Sequence, residues 1–353
     1  MSPPTTQALA EGALGIALLH IERGNLAAAR PLLAEAVAGG VSTGSNASLF
    51  HGAPALEFVL GRVGRADQTV QTAVDRVVAA RLAAARCRRK ATRLPTLAEF
   101  DLIRGLTGLG VVLLARAGSP PPLLQEVLAY LVALAVPAEA DAQVLPGWWS
   151  PDSPTHEEIT GGHANNGVAH GIAGPLALLS LAARRGLLVE GQIGAIKTFT
   201  AWLEKFGSFY WITLAPLAAE ALQALPLRPS WCYGDLGIAR TLQLAACALG
   251  DDARRQKAEE LALAALTDPA RLSRVTDASL CHGWAGLLTV TTALAADSRT
   301  PDRFAEPIRQ TRQRLEAGIP ALSKPGFMEG RAGAVMALKG SNVTGWTRAL
   351  LIN

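Results

Sequence analysis

Residues 230–237 read Ser230-Trp231-Cys232-Tyr233-Gly234-Asp235-Leu236-Gly237, a short G-x-x-G turn with a thiol two residues before its first glycine. Residues 281–286, Cys281-His282-Gly283-Trp284-Ala285-Gly286, repeat the turn and the thiol, and add a histidine immediately before the glycine. The same turn recurs at Gly12-Ala13-Leu14-Gly15, Gly105-Leu106-Thr107-Gly108, Gly171-Ile172-Ala173-Gly174 and Gly330-Arg331-Ala332-Gly333. A seventh copy, Gly52-Ala53-Pro54-Ala55, has alanine in place of the second glycine. Successive first glycines stand 40, 53, 66, 63, 49 and 47 residues apart, room for two helices and their loops each time. Self-similarity at such a period is the signature of a repeat architecture.

An almost uncharged run follows each turn: 16–20, 56–60, 109–115, 176–183, 238–249, 287–296 and 335–338. A helix that is apolar all round is buried on all sides. Between these runs lie stretches with a polar face, such as 68–90, 123–136, 192–205, 252–267 and 301–316; the last carries Arg303, Arg309, Arg312 and Arg314, so one side must meet water. The alternation predicts an all-α fold, an α/α toroid with an inner ring of helices inside an outer ring, and one domain over residues 1–353. Glycine at the helix start allows a tight turn and close approach of the inner helices. All seven turns then lie at one end, where residues distant in sequence converge.

Two irregularities are expected. The widest gap holds residues 137–166, with Trp148, Trp149, Pro151 and Pro154, read as an inserted loop or small subdomain. Six outer helices fit between seven inner ones, so the seventh must come from outside the pattern, or the ring closes imperfectly there. The segment 346–353 is too short to replace it.

Half of the residues are hydrophobic and 18% are charged, enough apolar surface for a large core. Abundant alanine, leucine and glycine with few aromatics favour packed helices over sheet. The net charge of +4 is scattered apart from Arg86, Arg88, Arg89 and Lys90, read as a solvated helix end and not as a nucleic-acid surface. No signal peptide or membrane span is evident. The expectation is a cytoplasmic protein with reduced thiols, where cysteines serve a metal more readily than a disulfide.

Registering candidates against the first glycine of each repeat brings the chemistry together. Cys232 and Cys281 stand two before it, and His282, His170 and His51 one before it. Asp101 stands four before Gly105, and Arg228 six before Gly234. Matched offsets in consecutive repeats place Cys232, Cys281, His282, His170 and Arg228 around one mouth. Two thiols and an imidazole are the ligand set of a zinc ion with one position left open. The bland reading, two buried cysteines acting as small hydrophobes, is assigned to Cys247, which lies mid-helix and is expected in the core. Cys87, among arginines, is expected at the surface, and His51 is read as structural. His163, Asn165 and Asn166 are expected to line the loop entering the site.

The motifs W-C-Y-G, C-H-G, A-H-G-I-A-G and F-D-x-x-x-G-x-x-G, in their order along the chain, resemble the lanthionine synthetase C family of lanthipeptide cyclases. The resemblance covers nearly the whole chain; Gly52-Ala53-Pro54-Ala55 and the abrupt start of the repeats depart from it. It implies an α/α toroid with one zinc on Cys232, Cys281 and His282, an acid/base histidine at His170, an arginine at Arg228 and an aspartate at Asp101. It further implies closure of thioether rings, by adding a peptide cysteine thiol to dehydroalanine or dehydrobutyrine. The substrate is then a dehydrated precursor peptide, leader plus core. A separate dehydratase makes the dehydro residues, and an exporter complex at the membrane is a further expected partner.

The residues suit that reaction. Thiol addition at a β-carbon creates an enolate, for which Arg228 supplies a counter-charge, and an imidazole that exchanges protons near neutrality suits protonation of the α-carbon. Asp101 either orients or charges His170, or helps to remove the thiol proton. Two rivals share the scaffold: a zinc-dependent thiol alkyltransferase, against which the motif set speaks, and a non-catalytic relative that keeps zinc and holds a thiol peptide or glutathione.

Overall fold

A turn, a buried helix and an exposed helix alternate through the computed structural model, which describes residues 5–140, 143–153, 159–218 and 228–353. The helices are α1 (Ala13–Glu22) and α2 (Leu26–Val37), α3 (Ala53–Gly61) and α4 (Gln68–Lys90), α5 (Leu106–Leu114) and α6 (Pro122–Ala133), α7 (Ala173–Arg184) and α8 (Gln192–Phe206). They continue with α9 (Asp235–Leu249) and α10 (Asp252–Thr267), α11 (Trp284–Asp297) and α12 (Ala305–Gly318), then α13 (Arg331–Lys339). Odd-numbered helices form the inner ring. Each packs on its two ring neighbours, and α13 packs on α1. Burial follows the sequence pattern: α9 is buried continuously from Asp235 to Ala246, whereas α12 buries only Pro307, Thr311 and Leu315. Short polar side chains start the outer helices, Asp67 capping α4 and Asp251 capping α10.

The inner helices are tied at their N-terminal ends by a ring of backbone hydrogen bonds. The residue three before each helix-starting glycine is apolar and buried: Leu9, Leu49, Leu102, Val168, Trp231, Leu280 and Phe327. Its N–H reaches into the next repeat, Leu9 to the Phe50 carbonyl (2.9 Å), Leu102 to Ala169 (3.1 Å), Val168 to Cys232 (2.8 Å) and Leu280 to Met328 (3.0 Å). Between repeats five and six the bond is displaced by one residue, from Cys232 N–H to the Cys281 carbonyl (3.3 Å). The N–H of Phe327 donates to Ala10 at 2.7 Å and joins the seventh repeat to the first. At the remaining junction the Leu49 side chain packs on Gly108. The inner ring is therefore closed, contrary to the expected defect.

The second glycine of each turn is needed because the chain folds back on itself. A Cβ there would stand 2.2 Å from the Leu9 carbonyl at Gly15, 2.1 Å from that of Trp231 at Gly237, and 1.9 Å from that of Phe327 at Gly333. Repeat two tolerates Ala55 because its turn is built differently. Gly52 adopts φ 70°, whereas Gly12, Gly105, Gly234 and Gly283 are extended at φ −95° to −105°. That left-handed value is one that L side chains avoid, so repeat two relocates its glycine requirement.

Among the described residues there are six outer helices, and the C-terminal segment turns inward instead of adding a seventh. Glu22 at the end of α1 accepts hydrogen bonds from Ser341, Val343 and Thr344, and Arg62 at the end of α3 donates to the Thr344 carbonyl (3.1 Å). Further on, Trp231 Nε1 donates to the Leu350 carbonyl (2.8 Å) and Arg240 Nε to that of Ile352 (2.8 Å). The segment touches helices on different sides of the ring, so it fills the hole in the middle. Trp346, Ala349, Leu350, Leu351 and Ile352 are accordingly buried.

The insertion departs from helix. Strand β1 (Ala138–Ala140) pairs antiparallel with β2 (Gln143–Leu145), and β3 (Ala164–Asn165) pairs with β4 (Trp211–Ile212). Residues 141–142 and 154–158 of this stretch, Pro154 included, lie outside the described residues. Trp148 packs edge-on against Phe199 and Trp202, fixing the insertion to α8. No helix among the described residues is long and apolar enough to cross a membrane.

Gly333→Ala is expected to cost about 3 kcal/mol in denaturant unfolding, since the Phe327 carbonyl has no room to move. Gly194→Ala, within α8 and with no heavy atom inside 4 Å of the new Cβ, should instead stabilise by up to about 1 kcal/mol.

Candidate functional site

The ring of turns presents the residues immediately before the glycines at its mouth, and four consecutive repeats, the third to the sixth, supply the candidate chemistry. The ligand atoms of Cys232, Cys281 and His282 all lie within 4.8 Å of one another. Ligands on one tetrahedral zinc are roughly 3.3–3.8 Å apart, so this donor set fits the ion with a small contraction. Cys232 is buried, while Cys281 and His282 are half-buried and reachable from the mouth. The backbone holds the pair in place: the Cys232 carbonyl accepts from Val168, its N–H meets the Cys281 carbonyl, and Cys281 N–H donates to Met328 at 3.1 Å.

The two thiols differ in character. The hydrogen bond with Cys281 lowers the pKa of Cys232 despite burial, helped by His282 and Ser230. The same bond, together with burial, pushes that of Cys281 up. His282 is raised to about 9 by its bonds to Asp277 and Cys232. The two thiols are thus unlike, and each responds chiefly to the other.

Beside Tyr233, whose ring lies 6.3 Å from that of His170, Asp101 is fully buried in the turn before α5, and its Oδ1 accepts the backbone N–H groups of Arg104 (2.6 Å) and Gly105 (2.8 Å). Its Oδ2 lies 2.7 Å from Nδ1 of His170, which is 32% exposed. A carboxylate only accepts, so His170 Nδ1 carries the hydrogen and Nε2 remains available. The contact is the geometry that an orienting role for Asp101 requires. The positive charge of Arg228 lowers the pKa of both Cys281 and His282, placing its guanidinium beside the cluster. Arg228 Nε is buried with no hydrogen-bond partner among the described residues.

Two residues near the cluster are absent from the sequence reading. Tyr233, at the same offset as His170 and His282, accepts a hydrogen bond from Asn165 Nδ2 (3.1 Å), which leaves its own O–H free. Burial pushes this phenol up to about 12. Asp277 approaches His282, with Oδ2 2.9 Å from Nε2. The signals were available: Tyr233 shares the histidines' offset, and Asp277 stands six before Gly283, as Arg228 does before Gly234.

Other placements differ from expectation. His163, Asn165 and Asn166 are buried and do not line an entrance. Asn165 braces Tyr233, while Asn166 bonds the Phe206 and Phe209 carbonyls and accepts from Trp202 Nε1. Cys247 is half-buried instead of core, because α9 emerges toward its C-terminal end; Cys87 is exposed as expected. His51 lies apart, in backbone bridges to Ala8 and Ser48.

The sequence matches the family model described as "Lanthionine synthetase C-like protein" over residues 3–344. A curated relative, the nisin biosynthesis protein NisC of Lactococcus lactis subsp. lactis, is 27% identical over 207 residues, 54% of this chain. The match covers 49% of that protein, so the chain spans about half the length of the curated relative it matches. A solved structure titled nisin cyclase superposes with a TM-score of 0.81 over 99% of this chain and 93% of that one, at 21% identity. That likeness establishes the shared fold.

Two outcomes are expected. Purified protein should hold zinc near one equivalent by elemental analysis; Cys281→Ala should lose most of it, whereas His170→Asn should keep it. The second concerns pH. Burial lowers His163 from 6.5 to about 4, against a smaller pull from Asp152. The unfolded chain therefore binds this proton more readily, so the contribution is full above pH 6.5 and is lost as pH falls toward 4. Wild type should lose on the order of 3 kcal/mol across that window. His163→Phe should show a shallower fall in pH-resolved denaturation.

Proposed function

The chain belongs to the lanthionine synthetase C-like family, and from that premise we propose that it is a zinc-dependent lanthipeptide cyclase. It adds cysteine thiols of a dehydrated precursor peptide to dehydroalanine or dehydrobutyrine, giving lanthionine or methyllanthionine rings. The observation that supports this reading is a Cys-Cys-His cluster together with a histidine bonded to a buried carboxylate, its ring 6.3 Å from that of Tyr233, the residue after Cys232. The printed names of the two nisin proteins support the substrate class.

Cys232, Cys281 and His282 would hold the zinc, which when bound supplies a Lewis acid that acidifies a thiol. The chain's own residues account for the remaining steps. His170 Nε2 takes the thiol proton, while Asp101 holds the ring by Nδ1 and stabilises the imidazolium. Sulfur bonds to the β-carbon, and the π pair moves toward the carbonyl oxygen as an enolate. Arg228 offsets that charge from beside the cluster. His170 then returns the proton to the α-carbon, so the addition is balanced in atoms and charge. The free O–H of Tyr233 is available to the enolate oxygen from the same rim.

Residues 1–353 act as one toroid domain in this reading, with 137–166 as an insertion. The dehydro residues come from a separate dehydratase, and the enzyme works in the cytoplasm, alone or beside a membrane-bound exporter complex.

The deciding experiment incubates zinc-loaded protein with a dehydrated precursor and counts free thiols by alkylation and mass spectrometry. Thiols should disappear without a change in peptide mass, and His170→Asn should slow this by roughly 10²–10⁴-fold. Unchanged thiols with a cognate peptide would leave a thiol-binding protein and sink the cyclase reading.

A further inference from the structure

Asp277 is held more firmly than a rim carboxylate needs to be. Its carbonyl accepts the Trp284 N–H (3.0 Å) at the start of α11, and its Oδ1 accepts the N–H of Ser279 (2.7 Å). That oxygen occupies the space a side chain at position 283 would take, 2.2 Å from where a Cβ on Gly283 would stand. Backbone and one oxygen thus fixed, the other oxygen meets His282 Nε2 at 2.9 Å. Ser279 also steadies the histidine from below, its Oγ accepting the His282 N–H at 3.3 Å.

We propose that Asp277 is a positioning residue that fixes His282 with the hydrogen on Nε2 and reserves Nδ1 for the metal. The two nitrogens of an imidazole point to nearly opposite sides of the ring. With Nε2 held on a carboxylate anchored to the α11 turn, Nδ1 is the nitrogen left for a cation shared with Cys232 and Cys281, whose ligand atoms lie within 4.8 Å of the ring's. The carboxylate also raises the basicity of the ring, which strengthens it as a ligand. The register explains why the arrangement is compact: Asp277, Ser279, Cys281, His282 and Gly283 all belong to one turn, so ligand, orienting acid and the space for it are encoded within seven residues. The inference rests on the zinc reading of the cluster and is independent of the cyclase reaction.

The test uses the intact chain and zinc alone. Competition against a chromogenic chelator should show Asp277→Ala binding zinc 10–100-fold more weakly than wild type. Asp277→Asn, whose amide oxygen can still accept from Nε2–H, should recover part of the loss. In zinc-loaded wild type labelled with ¹⁵N-histidine, long-range proton–nitrogen correlations should show His282 protonated at Nε2 and metal-bound at Nδ1. Zinc affinity unchanged in Asp277→Ala, or metal on Nε2 in the labelled wild type, would overturn the proposal while leaving the site intact. Wild type that takes up no zinc would end both the proposal and the metal reading. The labelled wild type decides the matter even where Asp277→Ala fails to fold.

Discussion

The backbone hydrogen bond from one turn to the next is the contact on which the rest of the molecule depends. It sets the spacing of the inner helices and their common direction, and it fixes which positions face the mouth. Cys232 is a member of this ring twice over, through its N–H to Cys281 and its carbonyl from Val168. The ligand-bearing residues are therefore located by main-chain geometry that any residue can provide. Side chains just before the glycines are then free to differ: Arg104, His170, Tyr233, His282 and Glu329 occupy equivalent places and can do unrelated things. One scaffold rule thus assembles a heterogeneous site from residues far apart in sequence.

The electrostatics of the mouth follow from that crowding. A buried carboxylate is costly unless it is hydrogen-bonded, and Asp101 meets the condition by accepting two backbone N–H groups of the turn that leads into α5 while it holds His170. The thiols have no such internal remedy. Their mutual hydrogen bond pushes the pKa of Cys232 down and that of Cys281 up, so two thiols in one cluster are made unlike. The neighbouring Arg228 brings positive charge but cannot be a metal ligand, since a guanidinium has no lone pair to offer. It can only modulate the field.

Much of this was readable from residue spacing. The repeat of G-x-x-G with apolar runs led to the toroid and to the convergence of Cys232, Cys281 and His282, because both rest on periodicity. The readings that missed lacked a periodic signal. Closure of the ring by Phe327 on Ala10 and the inward path of 341–352 depend on contacts between residues more than a hundred positions apart. His163, Asn165 and Asn166 look polar and available in sequence, yet they serve the insertion and brace Tyr233. Asp277 was visible at a matched offset, but the offset alone does not say that a carboxylate will meet an imidazole.

Filling the hole with residues 341–352 has a consequence for how the protein is made. An open solenoid can gain or lose a terminal repeat and keep the rest. Here the inner walls, including Trp231 and Phe327, stay wet until the last stretch of this sequence has been synthesised and drawn inside. A chain cut short in its seventh repeat has both an unclosed ring and an empty bore, and it exposes apolar surface on a scale that chaperones and proteases recognise. The central segment thus ties burial of the inner walls to its own docking, through Trp231, Arg240 and Phe327.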